Sequence, residues 1–184
     1  MKDRPILFSA PMVRAILAGT KTQTRRIVKG VTAVHRLVGS SPDYGNVAFH
    51  FAPAEGGRAV ILNCPYGVPG DRLWVRETFV TDGVKTLYRA DHEGIGGPWK
   101  TSIFMPRKHS RILLEVTDIR VQQVREISAD DVSAEGVFIP LWDLSREGPR
   151  YPSKVYLDLF FDINKRAPKD SNPWVWVIQF RRIP

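Results

Sequence analysis

Turn-forming residues cut this chain into short pieces. Brief apolar runs, bounded by clusters of Gly, Pro, Asn, Asp and Ser, recur along its length, and no strand–helix–strand unit repeats. That pattern argues against a parallel sheet built from βαβ units. It predicts an α+β fold, a small mixed β-barrel decorated by about three helices. The short strands fall at about 6–8, 59–62, 72–78, 86–90, 111–117, 119–124 and 174–181. One helix follows Ser9, with Pro11 in its first turn, where a missing N–H costs nothing, and ends at Gly19. A second opens at Ser128, with Asp131 three residues on in the manner of a capping box, and stops at Gly136. A third spans 152–166, with Val155, Leu159 and Phe160 at helical spacing and Tyr156 and Ile163 extending the face.

The 184 residues fit one domain, 1–184, able to bury a substantial core. Two stretches read as insertions, at about 29–58 and 127–172. The first is rich in breakers (Gly30, Gly39, Pro42, Gly45) and is expected to be loosely packed. No apolar run approaches the roughly 20 residues that span a bilayer, and the first residues show no secretory pattern. With one cysteine, Cys64, no internal disulfide can form. A cytoplasmic protein with no membrane partner is the expectation.

The net charge is +8, and it is uneven. Residues 1–50 carry eight Lys/Arg against two Asp/Glu, whereas 127–172 carry six against eight. A basic excess placed early in the chain suits a polyanion such as RNA, and it also serves solubility. The four histidines and Cys64 lack metal-ligand spacing, and neither a phosphate loop nor a nucleophile elbow occurs. Neither metal nor cofactor is expected.

Three segments concentrate reactive side chains. Gly19–Arg26, G-T-K-T-Q-T-R-R, packs Lys21, Thr24, Arg25 and Arg26 beyond a helix end. A desolvated lysine can act as the base for a hydroxyl, because burial lowers the pKa of the amine. Lys21 and Thr24 are three residues apart and would face opposite sides of a regular strand, so a shared site needs irregular backbone. The second segment is Gly70–Thr78, G-D-R-L-W-V-R-E-T, where Glu77 continues the face of Leu73 and Val75, with Arg72, Trp74 and Arg76 on the other. An inward carboxylate needs a cation or a raised pKa; Lys21, Arg25 and Arg26 are the candidate partners. The third is Phe104–Arg111, F-M-P-R-K-H-S-R, in which Arg107 and Lys108 suit phosphates. Trp174 and Trp176 share a strand face and read as core.

The first segment resembles the signature of the ASCH domain family of PUA-like barrels, G-x-K-x-x-E-x-R. Gly19, Lys21 and Arg26 match it, and Thr24 stands where the usual pattern has Glu. In this it is similar to ASCH proteins that remove the acetyl group of N4-acetylcytidine with a lysine, a threonine and a later glutamate. The resemblance implies Lys21, Thr24 and Glu77 as catalytic residues of an amidohydrolase acting on an acylated nucleoside or nucleobase amide. The G-D-x-L-W-V-R-E context, F-M-P-R followed by S-R-I, and the closing N-P-W-V-W-V-I-Q-F are similar to larger, phage- and prophage-associated members. Arg25, Arg26, Arg76, Tyr88, Arg107 and Lys108 then fall to substrate or RNA binding. The alternative is an RNA-binding module, or a ribonuclease using the same basic cleft with His109 as acid or base.

Overall fold

The computed structural model describes every residue except Ala33, Tyr44, Gly45, Ala54, Glu55 and 140–150. Its strands are β1 (Asp3–Leu7), β2 (Gln23–Ile27), β3 (His35–Asp43), β4 (Asn46–Pro53), β5 (Val60–Asn63), β6 (Arg72–Arg76), β7 (Phe79–Thr81), β8 (Thr86–Tyr88), β9 (Leu113–Gln123) and β10 (Trp174–Ile183). The helices are α1 (Ala10–Leu17), α2 (Ala129–Ala134) and α3 (Tyr151–Ile163). The fold is α+β. Five strands form a mixed sheet in the order β1-β6-β9-β10-β2, with β1 parallel to β6 and the other pairs antiparallel. Among the described residues this sheet is open, with β1 and β2 at its edges, where a closed barrel was expected. A three-stranded sheet, β3-β4-β5, and the β7-β8 pair complete the strands.

Strand β10 organises the core because both its faces are buried. Trp176, Ile178 and Phe180 join one cluster with Ile6, Val13, Leu73 and Leu114. Val175 and Val177 join a second with Val124, Val132, Tyr156, Phe160 and Phe161, beneath α2 and α3. A strand covered on both sides loses polar alternation, which is why W-V-W-V-I reads as one apolar run. The tryptophans are core, as their spacing suggested.

Two expectations are corrected. The stretch 29–58 is no loose insertion: it carries the β3-β4 hairpin, continued by β5, and it is anchored by aromatic contacts. Phe49 meets Trp176 edge-on at 5.2 Å, Phe51 meets Trp174 at 5.6 Å, and the Trp174 indole donates to His35 O. Burial of those rings outweighs the local breakers. Gly45, one of those breakers, and the middle of the second insertion, 140–150, lie outside the described residues. The two strands expected at 111–117 and 119–124 are one strand, β9, paired along the length of β10; a bulge between Gln179 and Phe180 absorbs the irregularity at Asp118.

Candidate active site

The loop after α1 builds the site. Gly19 takes φ +76°, the left-handed conformation glycine adopts without strain, and so ends the helix. The chain then runs along the end of α2. Lys21 pairs with Glu135 as an isolated bridge, and Thr22 N donates to Ala134 O at 2.9 Å. Regular pairing starts only at Gln23. Lys21 therefore stands in irregular backbone, the condition its sharing a site with Thr24 required.

Helix α2 is placed by the capping box foreseen in the sequence, with the Ser128 hydroxyl accepting from Asp131 N. Asp131 and Glu135, four residues apart, share one helix face and meet the cations of the motif. Lys21 Nζ donates to Glu135 Oε2 at 2.9 Å, to Glu135 O at 2.8 Å and to Gln23 O at 2.8 Å. All three ammonium protons are thereby used. Arg25 donates from Nη1 to Glu135 Oε1 at 3.1 Å and from Nη2 to Asp131 Oδ2 at 2.8 Å. The side chains of Lys21 and Arg25 are 0% exposed and that of Glu135 4%, so the ion cluster is dry. Burial pulls the Lys21 pKa below the ordinary lysine value, opposed in part by Glu135. Asp131 moves the other way. Burial would raise its pKa, but Arg25, Gln23, the Ser128 N–H and Arg120 together hold it low.

Thr24 is 1% exposed, and among the described residues its hydroxyl makes no hydrogen bond. It lines a small inner cleft of about 30 Å³ together with Arg25, Glu135 and Tyr156. Arg26, Met12 and Val137 line both this cleft and an outer cavity of about 550 Å³, whose wall also takes in Phe8, Ser9, Thr78 and Ser102. That volume suits a nucleoside-sized ligand. Arg26 donates to Leu7 O at 2.7 Å and sits over the Phe8 ring at 5.3 Å, the cation of the outer wall. A second cavity of similar size, beside Arg4, Lys29 and Tyr66, holds none of the motif residues.

Glu77 points inward, as the alternation of β6 required, and is 1% exposed. Its partner corrects the expectation: the cation is Arg111, not Lys21, Arg25 or Arg26. Arg111 Nε and Nη2 donate to the two Glu77 oxygens at 2.9 and 3.1 Å, and Arg111 also grips Asp91. Burial raises the Glu77 pKa, with Arg111 opposing. Tyr88 belongs to this second cluster. The Arg111 guanidinium covers its ring at 4.0 Å, and its hydroxyl donates to His109 O. The structure thus places Thr24, Arg25 and Arg26 around one cleft, ties Lys21 to Glu135 in its wall, and gives Glu77 and Tyr88 to an adjacent network. Thr78, the next residue after Glu77, reaches the outer cavity.

Of the remaining cations, Arg107 and Lys108 are exposed and Arg76 is half-buried. Arg76 and Arg107 approach the Trp74 ring at 5.5 and 5.8 Å. Arg107 also pairs with Asp3 at 3.4 Å, and Lys108 is exposed beside it. Among the described residues no three His, Cys, Asp or Glu side chains gather to hold a metal, and no helix is long and apolar enough to cross a membrane.

Sequence reasoning missed Glu135, Tyr156 and Arg111. A signal existed for the first: two carboxylates at i and i+4 on a capped helix, Asp131 and Glu135, form one acidic face able to meet the motif cations. Tyr156 reads as a residue of the apolar face of its helix, with no hint that it lines a cleft with Thr24.

No family model matches the chain, and no curated protein matches it. Among solved structures it is similar to the crystal structure of protein EF3133 from Enterococcus faecalis, of family model DUF984, with a TM-score of 0.41 and 8% identity. That match covers 92% of this chain and 65% of the other, so the chain spans just under two thirds of that protein's length.

Proposed function

We propose that this protein is an amidohydrolase acting on an acylated nucleoside or nucleobase amide of the N4-acetylcytidine kind, as an ASCH-type enzyme would. The observation that carries the reading is the Thr24 hydroxyl, unbonded among the described residues, in a cleft walled by the Glu135 carboxylate that holds Lys21. A hydroxyl that lines a cleft and that no protein group engages is free to meet a substrate, as a nucleophile must be.

Lys21, in its neutral form, turns Nζ from Gln23 O toward Thr24 and takes the hydroxyl proton as Oγ1 adds to the acyl carbon. The carbonyl electron pair moves onto its oxygen. The C–N bond then breaks, and Lys21 returns the proton to the leaving amine nitrogen. Water adds to the resulting Thr24 ester, passing a proton to Lys21. The ester bond breaks, the acid leaves and Thr24 regains its proton. Glu135 orients Lys21. Glu77, clamped by Arg111, positions Thr78 at the outer wall. Arg26 and Phe8 hold the base or sugar.

The test is release of cytidine from N4-acetylcytidine. Wild-type turnover should fall at least about a thousandfold in Thr24→Val and survive in part in Thr24→Ser. Thr24→Val preserves shape and leaves the ion cluster intact, so folding does not confound it. One observation favours a second reading: Trp74 flanked by Arg76 and Arg107, with Lys108 alongside, is a surface on which single-stranded RNA could stack. Absence of turnover, with RNA retained in a salt-dependent way, would replace the hydrolase by that binder.

A further inference from the structure

The inner cleft holds more than the nucleophile. Tyr156, on α3, is 5% exposed and lines the cleft, and among the described residues its hydroxyl makes no hydrogen bond. Arg25 lines it too; its Nε is buried without a partner, although both terminal nitrogens are bonded. The Arg25 guanidinium lies over the Tyr156 ring at 5.7 Å, so the two are neighbours. Thr24 adds a third unbonded group. Folded proteins leave few buried polar groups unsatisfied; here Arg25 Nε is one, and it and the two unbonded hydroxyls belong to residues that line a space of about 30 Å³. That is room for one or two water-sized groups.

A hydroxyl and a guanidinium N–H both donate. Facing a nucleophilic hydroxyl, they suit an acceptor oxygen that gains negative charge. Resting on the hydrolase reading, we infer that the inner cleft is the acyl-oxygen subsite, with Tyr156 Oη and Arg25 Nε donating to the carbonyl oxygen while Thr24 Oγ1 adds to its carbon. The oxygen carries the displaced electron pair in the tetrahedral intermediate and returns it when the C–N bond breaks. Both donors are fixed before substrate arrives: Arg25 by Glu135 and Asp131, and Tyr156 by packing against Phe160 at 6.1 Å between ring centres. Burial pushes the Tyr156 pKa far up, so the phenol keeps its proton at any working pH. The second insertion thereby gains a role, since α3 delivers the donor and closes the cleft.

The experiment is N4-acetylcytidine turnover by Tyr156→Phe beside wild type and Thr24→Val. Removing one oxyanion donor should lower kcat about a hundredfold or more and move KM by less than about threefold. The thermal midpoint should not fall, because the lost hydroxyl had no partner; a purely structural tyrosine would show the opposite pattern. A Tyr156→Phe kcat within twofold of wild type, with Thr24→Val inactive, would overturn the subsite and leave the hydrolase standing. A wild-type protein without turnover overturns both. Should Tyr156→Phe lower the midpoint, 3-fluorotyrosine at position 156 keeps the ring and strengthens the donor. A kcat above wild type then supports the subsite, and an unchanged kcat rejects it.

Discussion

Lys21 and Glu135 are 114 residues apart in sequence, yet their side chains meet at 2.9 Å and neither is open to water beyond 4% of its side chain. The contact ties the motif loop to helix α2, and so joins the basic start of the chain to its acidic second insertion.

This pair sets the first prediction. Glu135→Ala strands the Lys21 ammonium and half of the Arg25 guanidinium in a dry site. It should cost about 3–5 kcal/mol of stability at neutral pH, read by urea denaturation. Lys21→Met alone should cost less, because Arg25 still pairs the Glu135 carboxylate. The double variant Lys21→Met/Glu135→Leu should be more stable than Glu135→Ala, since it leaves no unpaired Lys21 ammonium. Single and double losses that simply add would show that the two residues are not coupled.

A second prediction concerns the turn that lets the loop approach. Gly136 ends α2 at φ +75°, and a Cβ there would lie 2.8 Å from Lys21 Cβ and 2.9 Å from Ala15 Cβ. Gly136→Ala therefore meets left-handed strain and two clashes at once. It should destabilise by about 2–3 kcal/mol. Gly19→Ala, with the same backbone requirement (φ +76°) and open space around it, should cost only about 1 kcal/mol. Equal losses at the two positions would mean that the close approach of Gly136 to Lys21 contributes nothing.

The contrast between these glycines shows what the sequence can carry. Gly19 and Gly136 were legible as helix stops, as were the Ser128–Asp131 cap and the inward face of Glu77, because each follows from residues within one or two turns of itself. The partners were not. Glu77 meets Arg111 across a separation of 34 residues, and Arg111 closes a segment that reads as a phosphate-facing basic loop. Its last cation turns inward only because the chain there packs against β6, with Ser110 donating to Val75 O. The β3-β4 hairpin was hidden for the same kind of reason: Gly39, Ser40, Ser41 and Pro42 argue locally against a strand, whereas Phe49 and Phe51 are recruited by two tryptophans more than a hundred residues away. Thr24 was singled out by its motif, and the structure places it in the lining of the inner cleft. Tyr156 was legible only as an apolar-face residue of a helix, since spacing says which side is buried and not which hydroxyl lacks a partner.

The last prediction uses the Glu77–Arg111 clamp. Arg111→Ala removes the one cation that, among the described residues, is bonded to the Glu77 carboxylate, which is 1% exposed. At neutral pH the loss should be about 3 kcal/mol. Its pH dependence has a definite sign. The folded Glu77 pKa is already raised by burial, and losing Arg111 raises it further. A carboxyl whose folded pKa lies above its unfolded value contributes stability that is fully present below the unfolded value, about 4.3, and is lost as pH rises through the folded value. The gap between variant and wild type should therefore be small at the acid end and widen across that window. Adding Glu77→Gln to Arg111→Ala should recover most of the stability and flatten the curve. Urea denaturation at a series of pH values reads all three proteins. A gap that stays constant with pH, or no rescue by Glu77→Gln, would show that Arg111 acts through its stacking on Tyr88 and its bonds to Asp91, and not through the charge of Glu77.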